Sequence, residues 1–305
     1  MDDDLNRLLD AQGGVATAAQ LLAVMSRREL AFKLKTGQLQ RIWHGVHGRP
    51  DPDDATRLRA LDLLTGSRVA VCLGTAAAIH GFDTEDTRDL HVFDPPGHQL
   101  RTARGLVVHR RYDSPLVLRD GRLVSAPAWC AIEVARGLRR PRALATLDAA
   151  LRSGACTPTT LHHAAVAQFG RRGIVAVRAL LPLADPLAES PMESEARLVM
   201  LDGGLPGPDL QHEILDRHGR LWRVDFAWPE LRIAVEYDSD EWHSGAEALH
   251  RDRDRRDALR DAGWLVIVIF ADDVRRSPNE LVHRLRAELH SAAARLDTRA
   301  CAESA

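Results

Sequence analysis

The chain has 305 residues, 45% hydrophobic and 28% charged, with a formal net charge of −2. That profile belongs to a soluble globular protein long enough for two or three domains and a substantial buried core. No apolar run approaches the roughly 20 residues that span a bilayer, and the start Met1-Asp-Asp-Asp lacks the basic and apolar regions of a signal peptide, so neither membrane insertion nor secretion is expected. Cys72, Cys130, Cys156 and Cys301 contain no CxxC pair, which fits neither a zinc box nor a disulfide framework and suits a reducing cytoplasm. A net charge near zero does not decide whether the partner is a nucleic acid. What counts is where arginines cluster, as they do at Arg27-Arg28, Arg110-Arg111, Arg139-Arg140, Arg171-Arg172 and between Arg251 and Arg256.

Leu5, Leu8 and Leu9 repeat at helical spacing before Gly13-Gly14 stops the helix. Thr17 with Gln20, and Ser26 with Glu29, each have the capping-box spacing that opens a helix; the second helix ends near Val24 and the third at Gly37. Alternating residues around Trp43 and Gly45 then predict a hairpin. Three short helices followed by a hairpin predict a winged helix-turn-helix over residues 1–48. In that layout Arg27 and Arg28 open the recognition helix and Arg41 begins the wing, where arginine can bond guanine or hold a phosphate. The alternative is a packed helical module that binds protein.

Residues 50–185 predict a mixed α+β domain for connection or interaction. The end of a helix lies at Leu61 to Thr65, and Val69 to Leu73 reads as a strand leading into a helix at Thr75 to Ile79. Short strands are expected at Leu90 to Phe93 and Leu106 to His109, with a turn at Asp94 to Gly97. After Pro127 the pattern is helical over Ala131 to Leu138, Arg142 to Arg152, Thr159 to Phe169 and Ile174 to Leu181. His80, His91, His98 and His109 are too irregularly spaced to read as a metal site. Asp185-Pro186 is the expected boundary before the last domain, residues 190–290, and residues 291–305 are expected to be a disordered tail.

The last domain reads as helix, three strands, helix, strand, helix. Ser190 caps and Pro191 starts a helix ended by Gly203-Gly204; strands follow at Gln211 to Leu215, Leu221 to Trp228 and Leu231 to Asp238. A charged helix from about Ala246 to Asp261, the apolar strand Trp264 to Phe270 and a helix after Pro278 complete it. Side chains alternate on a strand, so Glu236 and Asp238 share a face, and an antiparallel return through Pro229-Glu230 brings Asp225 beside them. Glu193, on a helix over that sheet, adds a fourth carboxylate. Clustered carboxylates repel unless a cation lies among them, and oxygen donors suit Mg²⁺ or Mn²⁺. Such an ion polarises a phosphate and activates water. The arginines that follow, Arg251 to Arg256, are expected phosphate contacts, Arg256 foremost, although the interleaved Asp252, Asp254 and Asp257 equally suit intrahelical ion pairs.

Ser190-Pro-Met-Glu193-Ser, Arg223-Val-Asp225-Phe-Ala-Trp-Pro-Glu230, Ala234-Val-Glu236-Tyr-Asp238, Trp242-His243, Asp252 with Arg256, and Ala262-Gly-Trp264 resemble the PD-(D/E)XK nuclease superfamily. Within it they are most similar to the very-short-patch-repair-like endonuclease domains of actinobacterial proteins. The resemblance implies a restriction-endonuclease-like αβββαβ core and metal-dependent cleavage of DNA. Asp225 and Glu236 would be metal ligands, Glu193 the helix carboxylate and His243 a phosphate contact or proton donor. The signature lysine is Asp238 here, and the glycine expected after it is Ser239, which leaves open an inactive domain that only binds. Gln12-Gly-Gly-Val15, Ser26 to Leu30, Gly37 to Arg41 and His44-Gly45-Val46 resemble the N-terminal winged-helix domain of AbiEi-type antitoxins. That resemblance implies DNA binding, typically autoregulatory, and a connection to phage defence or toxin–antitoxin biology, with a cognate toxin or another protein as the expected partner of residues 50–185; the nuclease resemblance adds DNA repair as a setting.

Overall fold

The structure, a computed structural model, describes residues 2–82, 84, 89–110, 113–239 and 246–303. The chain is mixed α/β and divides into two compact units, residues 1–80 with 85–130 and residues 131–305 with the short stretch 81–84. No helix among the described residues is long and apolar enough to cross a membrane.

The first unit begins with α1 (Asp2–Ala11), β1 (Val15–Thr17), α2 (Ala18–Val24), α3 (Arg27–Lys35), β2 (Gln40–Trp43) and β3 (Val46–Gly48). Both expected capping boxes form: Thr17 and Ser26 accept from the backbone N–H three residues on, and Gln20 and Glu29 reach back. Each such cap is worth about 1 kcal/mol. The sheet order β1-β3-β2 adds a strand ahead of α2 that the sequence analysis did not anticipate. Leu5, Leu9, Ala16, Leu21, Met25, Leu30 and Leu39 form the core of this part.

Next come α4 (Asp54–Thr65), α5 (Leu73–Ile79), β4 (Leu90–Phe93), β5 (Leu106–His109), β6 (Leu116–Arg119) and β7 (Arg122–Ser125). β4 and β5 pair in parallel, so the turn at Asp94 to Gly97 opens a crossover and not a hairpin. β6 and β7 form a hairpin, and Val71 bridges to both Val92 and Val124, joining the two strand pairs.

α6 (Pro127–Ala135) crosses the division in the chain, and the second unit continues with α7 (Arg140–Arg152), α8 (Pro158–Ala167), α9 (Ile174–Leu180) and α10 (Pro191–Asp202). Then follow β8 (Asp209–Leu215), β9 (Leu221–Trp228), β10 (Ile233–Tyr237), α11 (Ala246–Asp261), β11 (Leu265–Ile269), α12 (Ala271–Arg275) and α13 (Pro278–Glu303). β8, β9 and β10 form an antiparallel meander, and α11 is the crossover that lays β11 parallel to β10, giving the order β11-β10-β9-β8. One face is covered through Leu259 of α11, which clusters with Ile214, Val224, Ala227 and Ala234. On the other face Phe226, Trp228, Ile233 and Val235 pack with Ala196 and Met200 of α10 and Leu281, Leu285 and Leu289 of α13.

Two features bear on the expected domain limits. Residues 291–305 were expected to be a disordered tail; α13 continues into them as far as Glu303, with its buried stripe of Leu281, Leu285, Leu289 and Ala292 ending at Ala292. The expected boundary at Asp185-Pro186 is bridged by packing of α7 on α10. Arg197 pairs with the fully buried Asp148 at 2.8 Å and donates to the Leu183 carbonyl, while Asp148 also accepts from the Asp185 N–H. The helix carrying Glu193 is therefore clamped from the side of the middle region.

Candidate functional site

The β9–β10 pairing sets the site. Val235 lies opposite Phe226, which puts Asp225 beside Glu236, and the Tyr237 N–H donates to Asp225 Oδ2 at 2.8 Å. Glu236 and Asp238 follow Ala234 at alternate positions, on the side covered by α11. A cleft of about 190 Å³ is lined by Asp225, Glu236, Tyr237, Asp238, Arg255, Arg256 and Val268. The meander thus brings Asp225, Glu236 and Asp238 to one opening, and α11 adds two guanidinium groups.

Those arginines divide the carboxylates between them. Arg255 Nη2 lies 2.5 Å from Glu236 Oε1 and also donates to the Arg223 carbonyl at 2.5 Å. Arg256 Nη2 stands 4.0 Å from Asp238 Oδ2. Arg253 and Arg260 instead pair along the helix with Asp257. The intrahelical pairing expected of this basic run is formed by Arg253 and Arg260, whereas Arg255 and Arg256 turn to the carboxylates of the cleft.

Glu193 does not line the cleft. Its Oε2 accepts from the Gln211 side chain and from the Glu189 N–H, both at 2.9 Å. Burial raises its pKa, the negative charge of Asp225 adds to the rise, and hydrogen bonds from Glu189, Ser190 and Gln211 only partly offset it. Asp225 is raised too, first by burial and further by Glu189, against the Tyr237 N–H and the charges of Arg255 and Arg223. The two carboxylates are close enough to feel each other, yet they are held by different partners. Accordingly, among the described residues no three His, Cys, Asp or Glu side chains gather closely enough to hold a metal ion, in contrast to the expected convergence of three or four donors. Arg255 draws Glu236 one way while neutral donors hold Glu193 another.

Gln211 was not anticipated. It sits in β8 with φ +50°, a left-handed conformation rare for a residue with a side chain. Its register position is opposite Asp225, between the pairs His212 to Val224 and Leu210 to Phe226. Val224 and Phe226, two residues apart, belong to clusters on opposite faces, so the regular alternation of β9 breaks around Asp225. Strain of this kind is found where surrounding structure holds a site in place. Sequence offers no signal for it, since glutamine is ordinary in a strand.

The remaining residues lie elsewhere. Arg27 and Arg28 are exposed at the start of α3, and Arg41 is exposed on β2. His243, with Trp242, lies outside the described residues. In the middle stretch His80 Nε2 bonds the Ser125 carbonyl at 2.7 Å, and His91 and His109 stack with ring nitrogens 3.0 Å apart. Burial lowers the pKa of all three.

Comparison with known proteins adds a family. Two proteins of Mycobacterium tuberculosis, uncharacterized protein MT2308 of strain CDC 1551 and uncharacterized protein Rv2248 of strain H37Rv, are each 53% identical to this chain over 268 residues. The alignment covers 88% of the chain and 98% of each relative. The chain belongs to their family. In this family member, residues 69–183 match the AbiEi antitoxin C-terminal domain. The antitoxin likeness therefore falls on the middle of the chain, whereas the sequence analysis placed it on the first 48 residues. The matched stretch carries short strands and alanine-rich helices with no chemical motif, which is why residue chemistry pointed elsewhere.

Proposed function

We propose that this protein binds DNA in a toxin–antitoxin or phage-defence setting and that its last third is a metal-dependent endonuclease of PD-(D/E)XK type. The observation that carries the reading is the placing of Asp225, Glu236 and Asp238 at one cleft with two arginines of α11. The helix, antiparallel meander and crossover to a parallel strand agree with the αβββαβ core expected of such a nuclease. For the first unit, three short helices, two of them opened by capping boxes, with a small sheet and exposed Arg27, Arg28 and Arg41 support a winged helix-turn-helix on DNA.

The donor set fits a hard cation in a sparing form. Mg²⁺ is commonly held by one or two carboxylates and completes its shell with water and phosphate oxygens, so Asp225 and Glu236 would suffice, with Glu193 behind them. When bound, the ion would polarise the phosphate and lower the pKa of the attacking water. The chain's own groups prepare that site. The Tyr237 N–H aims Asp225, Arg255 orients Glu236, and Gln211 keeps Glu193 next to Asp225. The raised carboxyl groups of Asp225 and Glu193 mark a place where added positive charge would be welcome.

A second reading is a regulator or antitoxin that binds DNA or a partner toxin without cutting. The AbiEi match and the carboxylate at position 238 favour it. The deciding experiment treats supercoiled, linear and mismatched DNA with purified protein in Mg²⁺ or Mn²⁺, alongside Asp225→Ala and Glu236→Ala. Metal-dependent cleavage that both substitutions abolish supports the nuclease. DNA binding without cleavage by the folded wild type overturns it in favour of the regulator.

A further inference from the structure

We infer that Arg256, drawn into the cleft by Asp238, supplies the positive charge that faces the scissile phosphate; this rests on the nuclease reading above. The charged groups that the described strands bring to the cleft are carboxylates, at 225, 236 and 238, and a phosphodiester approaching them would meet like charge. Among the described residues its lining cations, Arg255 and Arg256, both come from α11. They are engaged very differently. Arg255 is committed to Glu236 and to the Arg223 carbonyl, each at 2.5 Å, and so acts as a positioning residue for Glu236.

Arg256 is held loosely. Its side chain is 37% exposed and that of Asp238 47%, and they meet only at 4.0 Å. A solvent-exposed pair at this distance adds little to stability, so fold stability gives little reason for it. What the pair does is bias a long, flexible cation toward the opening. A guanidinium so placed presents two parallel N–H donors to a phosphate, the geometry in which arginine excels. In the nuclease signature the cation stands on the strand, where this chain has Asp238. Here the strand carries an anion and the helix carries the cation, and the charge at the phosphate has the same sign.

The test uses the full chain with R256A, the double variant R256A/D238K, and R253A as a control from the solvent side of α11, where Arg253 pairs only at 3.9 Å with Asp257. Two quantities are measured: DNA affinity against salt concentration without metal, and the cleavage rate in Mn²⁺. R256A should lower the slope of log affinity against log salt by about one phosphate contact. It should also lose at least about tenfold in cleavage, a fraction of what removing a transition-state charge contact costs, with an unchanged melting temperature. R256A/D238K should recover slope and rate in part, because a strand cation then replaces the helix one, and R253A should behave as wild type. Wild-type cleavage with R256A matching it in slope and rate overturns the inference and leaves the nuclease reading standing. Lost cleavage with an unchanged slope and no rescue by D238K assigns Arg256 a structural role and likewise overturns the inference. Absence of cleavage by wild type that binds DNA overturns both.

Discussion

Glu193 and Glu195 stand two residues apart on α10, each almost sealed from solvent at 8% and 1% exposure, and they have opposite fates. Burial pushes the Glu195 carboxyl up, but two 2.9 Å bonds from Arg275 and the charges of Arg139 and Arg142 outweigh it and hold the group below the usual range. Burial raises the Glu193 carboxyl as well, and there neutral donors only partly offset it while the charge of Asp225 adds to the rise. A buried carboxylate with its own arginines ties helices together. One buried beside another acid is a standing cost, and such costs are kept where a ligand or reaction makes use of them. Burial alone would have ranked the two residues together; the charge around each separates them.

The largest effect expected from breaking this contrast lies on the compensated side. Arg197→Met leaves the fully buried Asp148 without its cation and should cost about 3–5 kcal/mol, read as a lowered urea midpoint. Glu195→Gln keeps the shape but removes the charge its arginines answer. Arg139 and Arg275 are half exposed and rehydrate, so the loss should be smaller, about 1–3 kcal/mol.

Glu193→Gln should leave the fold as stable or more so at neutral pH. Because the folded carboxyl is raised, the native state binds its proton more readily than the unfolded chain, and this group's contribution weakens the fold as pH rises from the ordinary carboxylate value through the raised one. The substitution should flatten that part of the stability profile. Glu195 has the opposite sign: its contribution is present above the ordinary glutamate value and is lost as pH falls through the lowered one. Denaturant midpoints measured across the acidic range separate the two slopes. The smallest effect belongs to Gln211→Gly. Relief of the left-handed backbone, about 1 kcal/mol, nearly cancels the lost bond to Glu193, also about 1 kcal/mol. The melting temperature should barely move, and the affinity of the Asp225 site for Mn²⁺ should fall.

Much of this contrast was invisible in sequence for identifiable reasons. The caps at Thr17 and Ser26 were legible because a capping box closes within four residues. The adjacency of Asp225 and Glu236 was legible because alternation and one tight turn determine it. The Asp120-Gly121 turn of β6–β7 was readable in principle, since both residues take positive φ, as a type I′ hairpin turn requires. β1 was not, because three residues pair with a strand about thirty positions away. Nor could the clamp of α7 on α10 be foreseen: Asp148 and Arg197 are 49 residues apart, and each looks like an ordinary surface charge. The arginines of α11 illustrate the limit well, because their spacing fits helix pairs and cleft contacts equally and only the fold assigns Arg253 to one and Arg255 to the other.

The most direct test of the account is a cleavage time course in Mn²⁺ for wild type, Glu193→Gln and Glu195→Gln, each held well below its own melting temperature. The account predicts that Glu193→Gln folds at least as well as wild type and cuts far more slowly, while Glu195→Gln melts earlier and cuts at nearly the wild-type rate. Equal loss of activity in both variants, or full activity in Glu193→Gln, would contradict it.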